Sequence, residues 1–255
     1  MHSIGILGVG ELTEKVVRGL RRGGYIGAIH LSPRNERRAL ALQEQFDCQV
    51  MPDNQRVVER SSVLLLGVRP DVVAQLAGEV TIGADKTLIS LVAGMGCNVL
   101  ARHFPEAKVV RAMLSYAAEI NATTVVTYPD DEAVRQLLTP LGTFIALQAE
   151  SAFEVATVAA CMNGWFYFWL QDLQQWFIDQ GLPQAQAKQL VLSNLQDCLA
   201  SARHSPDTDL EKLGNTIATP GTFTRQGVDM LRDRQVSAPW LSAFEAVLLN
   251  LEREH

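Results

Sequence analysis

The chain has 255 residues, 47% of them hydrophobic, and a formal net charge of −6. That supplies enough apolar material for one large domain or two modest ones and excludes disorder as the default. Lysines and arginines are scattered except at Arg21-Arg22 and Arg37-Arg38, which excludes nucleic acid as the main partner.

Through the first half, strand-like apolar runs alternate with helical patterns. The runs are Ile4 to Leu7, Ala28 to Leu31, Val63 to Leu66, Thr87 to Val92, Val109 to Arg111, Thr123 to Thr127 and Thr143 to Leu147; helices are expected over Glu11 to Gly23 and Arg34 to Gln45, among others. This order predicts an α/β domain, a mostly parallel, doubly wound sheet with helices on both faces. After Glu150 the alternation stops. Helix-period stretches follow over Ala152 to Gln180, Gln184 to Arg203, Asp207 to Ala218, Thr222 to Arg232 and Pro239 to Arg253, with Gly181-Leu182-Pro183 as a stop and restart. The expected domains are therefore α/β over 1–150 and all-α over 151–255. Trp165 to Leu170 is apolar on every side of a helix, so it is expected to pack against a second subunit.

Ser3 to Leu7 enters a strand at once, with no charged segment and long apolar run before it, and no eighteen uncharged apolar residues stand together. A cytoplasmic protein with no membrane partner is expected. Cys48, Cys97, Cys161 and Cys198 form no C-x-x-C pair and have no histidine at metal-ligand spacing, so they read as reduced, mostly buried thiols with no metal. His2 and His255 are terminal, and His30, His103 and His204 have no partner pattern; all five read as surface or structural.

Chemistry is most legible at the start. Ile4 to Leu7 is a strand, Gly8-Val9-Gly10 a turn, and Glu11-Leu12-Thr13 a helix start. Gly8 permits the turn, Gly10 lets backbone approach a pyrophosphate, and the helix start offers free N–H groups to phosphates, which is the dinucleotide fingerprint of a Rossmann-type fold. Thr13 occupies the place of its third glycine. After the second strand comes Ser32-Pro33-Arg34 with no acid before Glu36, a choice that suits a ribose 2′-phosphate and favours NADP(H) over NAD(H).

These motifs, in order, resemble the pyrroline-5-carboxylate reductase family. Met51-Pro52-Asp53-Asn54 resembles the family segment whose Asn touches the adenosine side of the cofactor. Leu66-Gly67-Val68-Arg69-Pro70 is similar to its Ala-Val-Lys-Pro, and Ile89 to Met95 to its Ile-Ser-Ile-Ala-Ala-Gly-Ile. The resemblance implies that Val68, Arg69, Pro70, Ala93 and Gly94 lie along the cofactor with Gly8, Val9, Gly10, Glu11, Leu12, Ser32, Arg34 and Asn54. Thr219-Pro220-Gly221-Thr222-Phe223-Thr224 is similar to the family's Ser-Pro-Gly-Gly-Thr-Thr. Read from the residues, Thr219 is an N-cap and Pro220 the first helical residue, so that Gly221, Thr222 and Phe223 present unpaired N–H groups to an anion. The resemblance makes that anion the carboxylate of an imine substrate, turns the Thr224 hydroxyl towards the imine nitrogen, and makes the C-terminal helices a homodimerisation domain. The activity it implies is NADPH-dependent reduction of 1-pyrroline-5-carboxylate to proline.

The chain departs from that family in three places. Arg111 to Ala117 reads Arg-Ala-Met-Leu-Ser-Tyr-Ala instead of Arg-x-Met-Pro-Asn-Thr-Pro; Cys161 to Tyr167 replaces Ser-Gly-Ser-Gly-Pro-Ala-Tyr; Phe223 replaces a small residue. Two alternatives stay open on these grounds: an imine or ketone reductase with another substrate, favoured by the bulk of Tyr116, Trp165 and Phe223, and a non-catalytic nucleotide-binding or regulatory homologue. Assembly beyond a dimer is also left open.

Overall fold

Strands β1 (Ile4–Leu7) and β4 (Val63–Leu66) are buried along their whole length. Such uninterrupted apolar runs suit central strands of a parallel sheet, covered on both faces. The computed structural model describes residues 2–253 and carries them, with β2 (Ile29–Leu31), β3 (Gln49–Val50), β5 (Thr87–Ser90), β6 (Lys108–Met113), β7 (Thr123–Tyr128) and β8 (Gly142–Ala146), in one sheet ordered β3-β2-β1-β4-β5-β6-β7-β8. All pairs are parallel except β6 with β7. The mostly parallel, doubly wound sheet expected from the sequence is therefore present. Its order reverses at β1, which has β2 on one side and β4 on the other.

The helices follow from their apolar spacing. In α1 (Glu11–Arg22), Thr13, Val16, Val17 and Leu20 are buried at the i, i+3, i+4, i+7 spacing of one helical face. Val16, Val17 and Leu20 join Ile4, Ile6, Ile29 and Leu31 in one core cluster, while Leu7, Val57, Leu64, Leu66, Val73 and Leu76 belong to a second. Helix α2 (Glu36–Phe46) begins two residues later than expected, because Asn35 caps it and accepts from the Arg38 amide. Strand β3 is two residues long and gives no alternation to read. Helices α3 (Asn54–Arg60), α4 (Val73–Glu79), α5 (Cys97–His103) and α6 (Glu132–Leu138) complete the wound layers.

The chain divides into two compact units, one holding the chain through Ala160 together with the stretch from Val247, the other Cys161–Ala246. The division falls within α7 (Ser151–Asp179). Beyond it come α8 (Gln184–His204), α9 (Leu210–Ile217), α10 (Phe223–Asp233) and α11 (Ser237–Arg253), so the region after residue 150 is helical, as expected. Helix α9 is shorter than predicted, because Asp209 accepts from the Glu211 amide at 2.7 Å and starts the helix there. Within the second unit Trp165 stacks on Phe244 at 5.7 Å and Phe166 lies 5.5 Å from Trp240. Tyr167 and Phe168, next along α7, are 70% and 76% exposed.

Two readings need correction. Of the cysteines, only Cys48 is buried; Cys97 and Cys161 are half-buried and Cys198 is exposed on α8, though all four are free thiols. Burial and the neighbouring Glu150 carboxylate push the Cys97 thiol up to about 12, so it stays protonated. His30 does have a partner: it is buried, with Nδ1 3.0 Å from the Ser61 hydroxyl, and burial together with Arg60 lowers its pKa. His255 lies outside the described residues. No helix among the described residues is long and apolar enough to cross a membrane.

Candidate functional site

In the sheet register Ile6 is level with Leu31, and Leu7 with Leu66, so the turns after β1, β2 and β4 leave the sheet together at the point where strand order reverses. Ligands of open α/β sheets bind at such a switch point. A cavity of about 620 Å³ lies there, lined by Gly8, Ser32 and Arg34, by Asn54 at the start of α3, and by Val68.

The first turn is built tightly. Gly8 has φ +94°, in the left-handed region, and a Cβ on it would stand 2.6 Å from Val68 Cγ1 and 2.9 Å from the Gly67 carbonyl oxygen. Its amide donates to Ser32 Oγ at 3.0 Å, which ties the ends of β1 and β2 together. A Cβ on Gly10 would meet nothing nearer than 3.8 Å, so packing leaves its outer side open for a ligand. Thr13 Oγ1 accepts from the Gly10 amide at 2.9 Å and donates to the Gly8 carbonyl at 2.9 Å. The residue in the third glycine place thus holds the turn, and room for its methyl group comes from Gly67, where a Cβ would collide with Thr13 Cγ2.

At the start of α1, Glu11 and Leu12 have amides with no carbonyl a turn back within the helix, which suits a phosphate. The Val9 side chain belongs to the core, so Val9 can offer only its backbone. Arg38 is spent on Glu14: burial would raise that carboxyl, but hydrogen bonds from Arg38 and Arg18 outweigh it and hold the pKa below its usual value. Arg34 is exposed at the cavity and has no acidic partner among the described residues. Shape, open backbone and an unpaired cation together fit a phosphorylated dinucleotide.

Other expected cofactor residues stand outside the cavity lining. Arg69 and Pro70 are exposed at a short 3-10 turn, Pro70–Val72, and Ala93 and Gly94 form the turn after β5. The cavity instead recruits a face of the next helical segment that sequence reading missed: Val72, Gln75, Leu76 and Glu79. Their spacing of i, i+3, i+4 and i+7 was available in the sequence.

A second unforeseen feature is the buried Arg111. Its guanidinium pairs with Glu154 at 2.6 Å and Glu150 at 3.2 Å and lies 4.0 Å from the centre of the Phe153 ring. Glu150 also accepts from the Cys97 amide at 2.6 Å; burial raises its carboxyl, but that hydrogen bond and Arg111 outweigh it, and its pKa is lowered. The network ties β6 to the start of α5 and to the first turn of the helix that begins at Ser151.

In the second unit the helix start differs from the expectation. Thr219-Pro220-Gly221-Thr222 is a β-turn of the kind that takes Pro second and Gly third: Gly221 has φ +86° and the Thr222 amide donates to the Thr219 carbonyl at 3.2 Å. Helix α10 therefore begins at Phe223, with Thr222 and not Thr219 as its N-cap. The Thr222 hydroxyl donates to the Thr219 carbonyl at 2.7 Å and accepts from the Arg225 amide at 3.2 Å, so both its roles are spent. The amides without an intrahelical partner move from Gly221, Thr222 and Phe223 to Phe223 and Thr224. Both of these residues are exposed, Phe223 at 93%.

Comparison with known proteins gives two family matches. Residues 3–94 match the NADP oxidoreductase, coenzyme F420-dependent, family, and residues 150–252 match the pyrroline-5-carboxylate reductase dimerisation family. The chain is 23% identical over 261 residues to a pyrroline-5-carboxylate reductase of Vibrio alginolyticus, covering 98% of this chain and 96% of that one. It is 26% identical to the Synechocystis enzyme of the same name over 241 residues, 89% of each chain. Among solved structures it is similar to Plasmodium falciparum pyrroline carboxylate reductase with NADP bound, with a TM-score of 0.87 at 17% identity over 99% of this chain and 98% of the other.

Proposed function

We propose that this chain, which belongs to the pyrroline-5-carboxylate reductase family, reduces 1-pyrroline-5-carboxylate to proline with NADPH. The observation that carries this reading is similarity to reductases of that name from end to end, together with a cavity whose lining fits a phosphorylated dinucleotide. A nicotinamide cofactor, when bound, supplies a hydride to the imine carbon, and a proton reaches the imine nitrogen. In the first unit the Gly8 turn and the amides opening α1 hold the pyrophosphate. Arg34, lacking an acidic partner, takes the 2′-phosphate and gives the preference for NADPH over NADH. Ser32 supports it by fixing the turn through the Gly8 amide.

In the second unit the Phe223 and Thr224 amides bind the substrate carboxylate, and the Thr224 hydroxyl oxygen accepts a hydrogen bond from the protonated imine nitrogen, favouring that more electrophilic form of the imine. Gly221 sets the turn, and Thr219 and Thr222 build it. The exposed Tyr167 and Phe168 are covered by a second copy of the chain, making a homodimer through the C-terminal helices. Val68 lines the dinucleotide cavity, while Arg69, Pro70, Ala93 and Gly94 serve the nicotinamide end of the cofactor.

Steady-state assays with 1-pyrroline-5-carboxylate and NADPH test the proposal. Turnover that falls about a hundredfold in Thr224→Ala, the cost of one hydrogen bond to a charged group at its upper range, is expected. Tight NADPH binding without turnover would reject it. The bulk of Phe223 at the head of α10 favours a second reading, a larger cyclic imine carboxylate, which a panel of imines separates from the first.

A further inference from the structure

The dinucleotide cavity carries a carboxylate that phosphate binding leaves unused. Glu79, at the end of α4, accepts from Asn54 Nδ2 at 2.7 Å and from Gln75 Nε2 at 3.0 Å, and all three line the cavity. An ionised carboxylate only accepts hydrogen bonds. Both carboxamides must therefore turn their NH₂ groups to Glu79, which leaves Asn54 Oδ1 and Gln75 Oε1 as acceptors without a protein partner among the described residues. Beside them Pro52, Val72 and Leu76 supply apolar lining suited to a flat ring, and the charge of Glu79 disfavours a phosphate there.

Resting on the cofactor reading above, we infer that Glu79 is a positioning residue that fixes the cavity for a 6-aminopurine. With both carboxamides held acceptor-outward, the lining takes an N–H of the adenine amino group. A 6-oxopurine would bring oxygen against oxygen at the same place. Recognition of the base is thereby built from the amide orientation of Asn54 and Gln75, with Glu79 acting through them and not by touching the cofactor.

Equilibrium titration of the full-length protein with NADPH and with the reduced nicotinamide hypoxanthine dinucleotide phosphate tests this. The wild type should bind NADPH about tenfold more tightly, the worth of one well-placed hydrogen bond. Glu79→Ala frees both carboxamides to rotate, so the ratio should fall to within about twofold while NADPH affinity drops only a few-fold. Glu79→Gln has one acceptor and one NH₂ to offer, must turn one neighbour round, and should also lower the ratio. Equal binding by the wild type, or an unchanged ratio in both variants even if both affinities weaken together, overturns the inference. Failure of the wild type to bind either dinucleotide removes the cofactor reading itself, and the inference with it.

Discussion

Replacing Gly67 with Ala should destabilise the first unit through one methyl–methyl collision, and a second substitution should undo it. The added Cβ would collide with Thr13 Cγ2 and stand 3.2 Å from the Gly8 carbonyl oxygen, which belongs to a turn held by two hydrogen bonds and cannot retreat. Overpacking of this kind costs about 1–3 kcal/mol, and the rigid turn puts Gly67→Ala near about 2.5 kcal/mol. Thr13→Ser keeps the hydroxyl that holds the turn and removes only the buried methyl, at about 1 kcal/mol. In the double variant the alanine methyl occupies the space the threonine methyl leaves, since Thr13 Cβ is 3.5 Å away, an ordinary contact. The pair should then cost about 1 kcal/mol in place of the additive 3.5 or so, a coupling of about 2.5 kcal/mol. Urea titration at fixed protein concentration measures all four corners of the cycle. Additivity to within about 0.5 kcal/mol would refute the reasoning.

Three further predictions test other parts of the account. Arg34→Ala should weaken NADPH binding about tenfold and leave NADH almost unchanged, measured by fluorescence titration; equal weakening of both would remove Arg34 from the 2′-phosphate. Glu150 has a lowered pKa, so its contribution is present above the unfolded glutamate value and lost as pH falls through the folded one. Glu150→Gln should therefore cost about 1–2 kcal/mol at neutral pH, less than a fully buried pair because the side chain is 30% exposed, and the difference should begin to shrink as pH falls below the unfolded glutamate value of about 4.3 and vanish only after pH has passed through the lowered folded value. A pH-independent difference would contradict it. Phe168→Glu places a charge on the exposed aromatic stretch of α7 and should yield a monomer in sedimentation, whereas an unchanged dimer would move the interface elsewhere.

Legibility of the sequence followed the range of the interaction. The strands other than β3, and the β1–α1 turn, were readable because their signals, apolar runs and glycines at fixed offsets, are local. So was Ser32-Pro33-Arg34, which stands at the cavity. Thr13 looked like a defect because its compensation lies at Gly67, over fifty residues away; Thr in the third glycine place of the fingerprint and Gly before Val68-Arg69-Pro70 answer one another in space. The ion pairs of Arg111 with Glu150 and Glu154 span 39 and 43 residues and left no local trace. The start of α10 is a different case. Pro220-Gly221 is a turn signal in its own right, and the helix-start reading of Thr219 passed over it; a glycine with positive φ cannot be the second residue of a right-handed helix.

The most direct test of the account follows one atom. NADPH deuterated at C4 is incubated with the protein and 1-pyrroline-5-carboxylate, and the product is analysed by mass spectrometry. Proline carrying deuterium on the ring carbon next to nitrogen is the predicted result. Oxidation of the cofactor with no label in proline, or no oxidation at all from a protein that binds NADPH, would contradict it.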